Sequence, residues 1–209
     1  MAAATRAIAR LDQASTVLFV CDIQERFTKA IYGFDRMVDA SAKLLRGASI
    51  LNVPVFATEQ NPKALGATVP ALTQHFPKDA VTLAKTRFSM CLPSGETADF
   101  LTKHKAKSVM IVGIESHVCV LQTTLELLAK GYDVFVIRDA ISSCNREEVS
   151  TAVERMRQAG ATITSSESAL FELMLDASHP NFKTISGLIK EEKERTKASL
   201  EALVPAARH

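Results

Sequence analysis

Residues 113–119 read GIESHVC and bring a carboxylate, a hydroxyl, an imidazole and a thiol together at Glu115, Ser116, His117 and Cys119. Just upstream, SVMIV is an apolar run of strand character. Downstream, VLQTTLELLAKG has helical spacing and a glycine, Gly131, where a helix stops. The reactive groups therefore sit at the joint between a buried strand and a helix. The first turn of a helix offers unpaired N–H groups and the positive end of the macrodipole, which favour a thiolate over a thiol at Cys119. A cysteine can also serve as a small buried hydrophobe, but that role belongs mid-strand or inside a helix face, not at a polar turn.

Two further groups stand at comparable joints. Asp22 follows the apolar TVLFVC directly and reads either as a loop-bracing acid or as a general base. Side chains alternate along a strand, so Cys21 and Asp22 are expected to face opposite ways. Lys85 follows VTLA and is either a surface lysine at a strand exit or a buried cation in need of a partner. Arg87 is the competing cation, expected on the same face if the chain stays extended. An acid, a cation and a thiol at three strand ends are the parts of a nucleophilic site.

Positioning these groups requires a sheet. Short apolar runs at 16–22, 54–60, 81–83, 108–114, 133–140 and 161–165 read as six strands, most of them continuously aliphatic, as in parallel strands covered on both faces. Helical patterns fill 34–52, 95–104, 120–131 and 145–160, with Ser94 the expected cap of the second. A charged helix near 180–196 reads as a solvated or partner-packing tail. Strand–helix alternation predicts a three-layer α/β/α fold, a six-stranded, mostly parallel, doubly wound Rossmann-like sheet, with ligands outside the carboxyl ends of the strands. The expected organisation is an N-terminal tail over 1–14, one domain over 15–192 and a C-terminal helical tail over 193–209.

Composition agrees with a single globular domain: 209 residues, 47% hydrophobic and 23% charged. A net charge of +2 gives no push toward nucleic acid or membrane, and no apolar run nears the ~20 residues that span a bilayer. The four cysteines (Cys21, Cys91, Cys119, Cys144) form no CxxC pair, which fits reduced thiols inside a cell. Cytoplasmic placement follows, with MAAATRAIAR leaving a mitochondrial presequence as the alternative.

The stretches FVCDIQERF, FATEQNPKALGATVP, KTRFSM, VMIVGIESHVCVLQTTLELLAKGYDVFVIRDAISS and RMRQAGATITSSES together resemble the isochorismatase-like cysteine hydrolases, across about residues 15–190. The nearer likeness is to eukaryotic isochorismatase domain-containing proteins, some of whose relatives are labelled mitochondrial-associated ribonucleases. The resemblance implies a catalytic triad of Asp22, Lys85 and Cys119, and a cis peptide at Ile114–Glu115. It also implies an oxyanion hole from the backbone N–H groups of Glu115 and Cys119, and a homo-oligomer. Gln24, Phe27, Gln60, Phe88, Ser116 and His117 are the expected substrate contacts, with Ser116 and His117 at the rim. For Phe27, Phe88 and Met90 core packing is the competing reading and the favoured one, and Glu59 or Gln60 could bind substrate or brace a loop. His117 is the alternative base.

Departures from the family pattern narrow the chemistry. Nicotinamidases hold a metal through an Asp-x-His pair and a further His after the second strand. Here that segment reads ATEQNPKALG, without histidine, so no metal and no other cofactor is expected. True isochorismatases cleave a vinyl ether and need no thiol, so Cys119 favours hydrolysis of a small amide, carbamoyl or acyl substrate through a thioester. The rivals are a ribonuclease, disfavoured by the small net charge, and a scaffold with a silent pocket.

Overall fold

The computed structural model describes residues 8–204. Six strands alternate with helices: β1 (Thr16–Cys21), α1 (Phe34–Ile50), β2 (Val55–Gln60), α2 (Pro62–Leu65), α3 (Pro70–Thr73), β3 (Val81–Lys85), α4 (Glu96–Lys103), β4 (Ser108–Gly113), α5 (Leu121–Ala129), β5 (Asp133–Ile141), α6 (Arg146–Gln158), β6 (Thr162–Thr164), α7 (Ser166–Met174), α8 (Phe182–Glu191) and α9 (Lys193–Leu203). Every strand pairing is parallel and the order is β3-β2-β1-β4-β5-β6. The sheet is thus wholly parallel, where the sequence predicted mostly parallel. It runs one way from β1 to β3 and the other way from β4 to β6. The topological switch point, where open α/β sheets form their ligand crevice, lies between β1 and β4.

Alternation along β1 builds both layers. Leu18 and Val20 join the core under α1, α7, α8 and α9, while Val17, Phe19 and Cys21 join the core under α4, α5 and α6. β1 and β4 are buried at every position, which accounts for their unbroken apolar sequences. The two strands meet closely at their ends, where Cys21 pairs with Gly113. Gly113 has φ +119°, and a Cβ there would lie 2.1 Å from the Cys21 carbonyl oxygen. Only glycine fits.

Both predicted tails contribute to the core. Leu11 is buried, and so is Leu203 at the end of α9. The predicted helix over 180–196 is two helices that turn at Glu192, whose buried carboxylate accepts Arg46 at 2.6 Å. That turn lets α9 lie along α1. The Lys43 ammonium, buried in α1, donates to Thr196 Oγ1 at 2.8 Å, and Ser199 Oγ donates to the Arg36 carbonyl at 2.8 Å. The division at 193 therefore marks no change in packing. α4 also differs: Gly95, at φ +106°, precedes it, and the Ser94 hydroxyl bonds the Glu96 carboxylate without capping the helix. The presequence reading rests largely on residues 1–7, outside the described residues, as are 205–209. No helix among the described residues is long and apolar enough to cross a membrane.

Candidate active site

β1 ends at Cys21 because Asp22 adopts a left-handed backbone, φ +52°. Aspartate is one of the few residues with a side chain that tolerates this region. The turn ends the alternation on which the sequence expectation rested. Cys21 and Asp22 do not face opposite ways: Cys21 Sγ lies 3.6 Å from Asp22 Oδ2, as hydrogen-bond donor. Thr58 of β2 donates to Asp22 Oδ1 at 2.8 Å.

Lys85, the last residue of β3, turns inward. Its Nζ donates to Asp22 Oδ2 at 2.6 Å, to Gln60 Oε1 at 2.8 Å, and to the carbonyls of Phe88 at 2.9 Å and Arg87 at 3.1 Å. Both side chains of this ion pair are sealed from solvent, Lys85 at 0% and Asp22 at 2% exposure. Burial works against the Lys85 charge, but Cys21, Asp22 and Cys119 around it outweigh that and raise its pKa. Arg87 does not share the face of Lys85. The strand stops at Lys85, the chain bends, and Arg87 pairs at the surface with Glu126 at 2.6 Å.

The opening stretch forms a wide π-type turn, Ser116–Val120, between β4 and α5. Its defining bond runs from the Val120 N–H to the Glu115 carbonyl at 3.1 Å. The Ile114–Glu115 peptide is cis. The Glu115 N–H has no acceptor among the described residues. Cys119 is 7% exposed. Its carbonyl is held by Thr123 Oγ1 at 2.6 Å, and the same hydroxyl accepts the Met90 N–H at 2.9 Å. The Cys21 thiol lies beside Cys119, and its pKa is pushed well up, first by burial, then by the neighbouring Cys119 and the charge of Asp22. Acid, cation and thiol thus converge at the switch point, with the Cys21 thiol beside both Asp22 and Cys119. A cavity of about 560 Å³ opens beside Lys85 under Pro62, Leu83 and Leu92; neither Asp22 nor Cys119 lines it.

A protein-family model, the isochorismatase domain, matches residues 16–168. The chain belongs to the isochorismatase family. It is 45% identical to the secreted isochorismatase effector Isc1 of Phytophthora sojae, with 91% of this chain and 92% of that protein aligned. With isochorismatase domain-containing protein 2 of Xenopus laevis it shares 43% identity, over 89% of each chain. Among solved structures, the MAR1 ribonuclease of Caenorhabditis elegans superposes with a TM-score of 0.86 at 41% identity, covering 96% of this chain and 100% of that one. The YcaC gene product of Escherichia coli, described as an octameric hydrolase of unknown specificity, superposes with a TM-score of 0.77 at 25% identity, covering 94% of this chain and 96% of that one.

In this isochorismatase-family hydrolase, several residues expected at the substrate are engaged elsewhere. The fully buried Gln24 amide donates to the carbonyls of Gln60 at 3.0 Å and Gly66 at 2.7 Å and accepts the Gln60 N–H at 2.7 Å. It pins the loop after β2, leaving no polar atom for a ligand. Gln60 holds Lys85 and donates to the Thr86 carbonyl at 2.7 Å. Glu59 braces the same loop through the Thr68 N–H at 2.7 Å and hydroxyl at 2.9 Å. Ser116 is not at the rim: it is buried, with its N–H and hydroxyl both on the Ser142 carbonyl, at 2.8 and 3.0 Å. Phe27 packs against the α1-side core and Met90 lies within the opposite one. Phe88 is 49% exposed. His117 pairs through Nδ1 with Ser143 Oγ at 3.0 Å.

Sequence reasoning missed Thr58, the Arg87 and Phe88 carbonyls, and the role of Cys21. For Thr58 alone a signal existed: a hydroxyl two residues before Gln60, on the strand beside Asp22. As for metals, the donor atoms of Glu115, His117 and Cys144 lie within 4.8 Å of one another. In this structure the Glu115 carboxylate accepts the Cys144 N–H at 2.8 Å.

Proposed function

We propose that this hydrolase is a metal-independent cysteine hydrolase of small amide, carbamoyl or acyl substrates, with Cys119 as nucleophile. The observation that carries the reading is the buried Asp22–Lys85 pair at 2.6 Å, set at the switch point beside the Cys119 turn. Asp22 takes the Cys119 proton as Sγ attacks the carbonyl carbon. The N–H groups of Glu115 and Cys119 hold the oxyanion. The leaving amine or alcohol departs with the proton from Asp22, which leaves a thioester. Water then attacks as Asp22 takes its proton, and Asp22 returns that proton to the departing Cys119 sulfur. Lys85 stays charged throughout and holds Asp22 in place. Cys21 is fully buried and its raised pKa keeps it protonated, which argues against it as nucleophile. The octameric YcaC supports a homo-oligomer. The cytoplasm is the proposed compartment.

Alkylation by acrylamide, resolved by mass spectrometry over the four cysteines and across pH, tests the reading. Cys119 is expected to react fastest near neutral pH, to slow in Asp22→Asn and Lys85→Ala, and to be indifferent to a chelator. A Cys119 rate no greater than that of Cys91 or Cys144 refutes it. The likeness to MAR1 ribonuclease motivates a second reading, RNA cleavage. RNA hydrolysis that persists in Cys119→Ala and in chelator would put it ahead of the first.

A further inference from the structure

Near the end of β5, Arg138 is 8% exposed. Its side chain makes no hydrogen bond or ion pair among the described residues, and its Nη1 is sealed from solvent. A guanidinium carries five N–H donors and does not shed its charge at neutral pH. An unmatched buried group of this kind is costly and calls for an explanation, of which an acceptor supplied from outside the chain is one. The neighbouring Asp139 directs both carboxylate oxygens to Ser166. Burial pulls the Arg138 pKa down to about 10; Asp139 opposes that shift and Arg146 adds to it.

Two cavities flank this side chain. One, of about 490 Å³, lies between the start of α6 and the end of α9 and is lined by Tyr32, Arg138, Ser142 and Arg146 among others. Arg146 sits 5.5 Å over the Tyr32 ring, which holds its charge toward this side. The second, of about 540 Å³, shares Arg138 and Ser150 with the first. The acids present do not match the cations: Glu147 lines the first cavity beside two arginines, and Glu154 in the second is paired with Arg157 at 2.9 Å.

We propose that Arg138, with Arg146, binds a small carboxylate or phosphate anion in the cavity between α6 and α9. The planar guanidinium fork suits two oxygens of one such group. Asp22, Lys85 and Cys119 do not line this cavity, so the anion site is separate from the proposed thiol chemistry.

Thermal unfolding of the full chain in phosphate, in acetate and in chloride at matched ionic strength tests the proposal. The wild type is expected to gain Tm saturably in phosphate or acetate over chloride, and the better of the two identifies the oxyanion. Arg138→Met is expected to lose that gain, and to melt higher than wild type in chloride because an unmatched buried charge has gone. Arg146→Ala keeps the fold and is expected to need a higher anion concentration for the same shift. An equal phosphate and acetate gain in Arg138→Met, or a lower Tm for that variant in chloride, overturns the proposal. Unchanged Cys119 alkylation in Arg138→Met separates this result from the fate of the hydrolase reading.

Discussion

Lys85→Met removes the cation from a site sealed from bulk solvent. The Lys85 side chain is 0% exposed and its partner carboxylate 2%. The substitution keeps an unbranched chain of similar length, so packing changes little while the Asp22 carboxylate loses its counter-charge. The Gln60 oxygen and the carbonyls of Arg87 and Phe88 lose a donor as well. Breaking a buried pair from one side costs about 3–5 kcal/mol, a large share of the ~5–15 kcal/mol that holds a domain folded. Urea unfolding reads the loss directly. Removing both charges, in Lys85→Met with Asp22→Asn, is expected to recover at least about 1 kcal/mol of it, the signature of coupling between contacting groups. The pH dependence has a definite sign. The folded-state pKa of Lys85 is raised above the ordinary 10.5. Its contribution is therefore fully present below 10.5 and lost as pH climbs through the higher folded value. The gap between wild type and variant should hold through neutral pH and narrow under alkaline conditions as Lys85 loses its proton. A loss under about 1 kcal/mol, or strict additivity in the double variant, would refute the view that this pair is buried and coupled.

Two further substitutions probe the frame around the site. Gly113→Ala places a Cβ 2.1 Å from the Cys21 carbonyl at φ +119°, so it should destabilise by well over about 1 kcal/mol in urea; a neutral result would mean that β1 and β4 separate easily. Thr196→Val takes the acceptor from the buried Lys43 ammonium and should cost about 1.5–3 kcal/mol, the range for a hydrogen bond to a charged group. A loss below about 0.5 kcal/mol would mean that α9 is only loosely attached.

The sheet was legible because burial on both faces leaves a simple mark. β1 and β4 are nearly unbroken apolar runs that end at Asp22 and Gly113, and β5 carries the apolar run VFVI before Arg138. The alternation of strand and helix then dictated the parallel topology. α7 was not legible in the same way: SESALFELM is short, and its cap is a Ser165 side chain accepting the Ser168 N–H at 3.3 Å, a signal shared by many turns. The charged sequence of α9 hid its packing because only a few positions, Thr196, Ser199 and Leu203, are buried. At the site, residue types at strand ends pointed to Asp22, Lys85 and Cys119, but not to their partners. Gln24, Gln60 and Ser116 carry the same amide or hydroxyl whether they meet a ligand or a backbone carbonyl. Only the path of the loops decides between the two.

The single backbone rotation at Asp22 shows how far local geometry can redirect a site. Were β1 to continue extended, Asp22 would follow Leu18 and Val20 into the α1-side core, and Lys85 would have no carboxylate to meet. With φ at +52°, the carboxylate reaches Lys85 Nζ, the Thr58 hydroxyl and the Cys21 thiol together. The same geometry distinguishes the two adjacent sulfurs. Cys21 keeps its strand position, is wholly buried, and has its pKa raised, so it sits beside the carboxylate as a neutral donor. Cys119 stands on the turn that leads into α5, where the chain offers backbone N–H groups and the helix its positive end. In the proposed mechanism, nucleophile and support are thus set by what surrounds each thiol, not by the residue type they share.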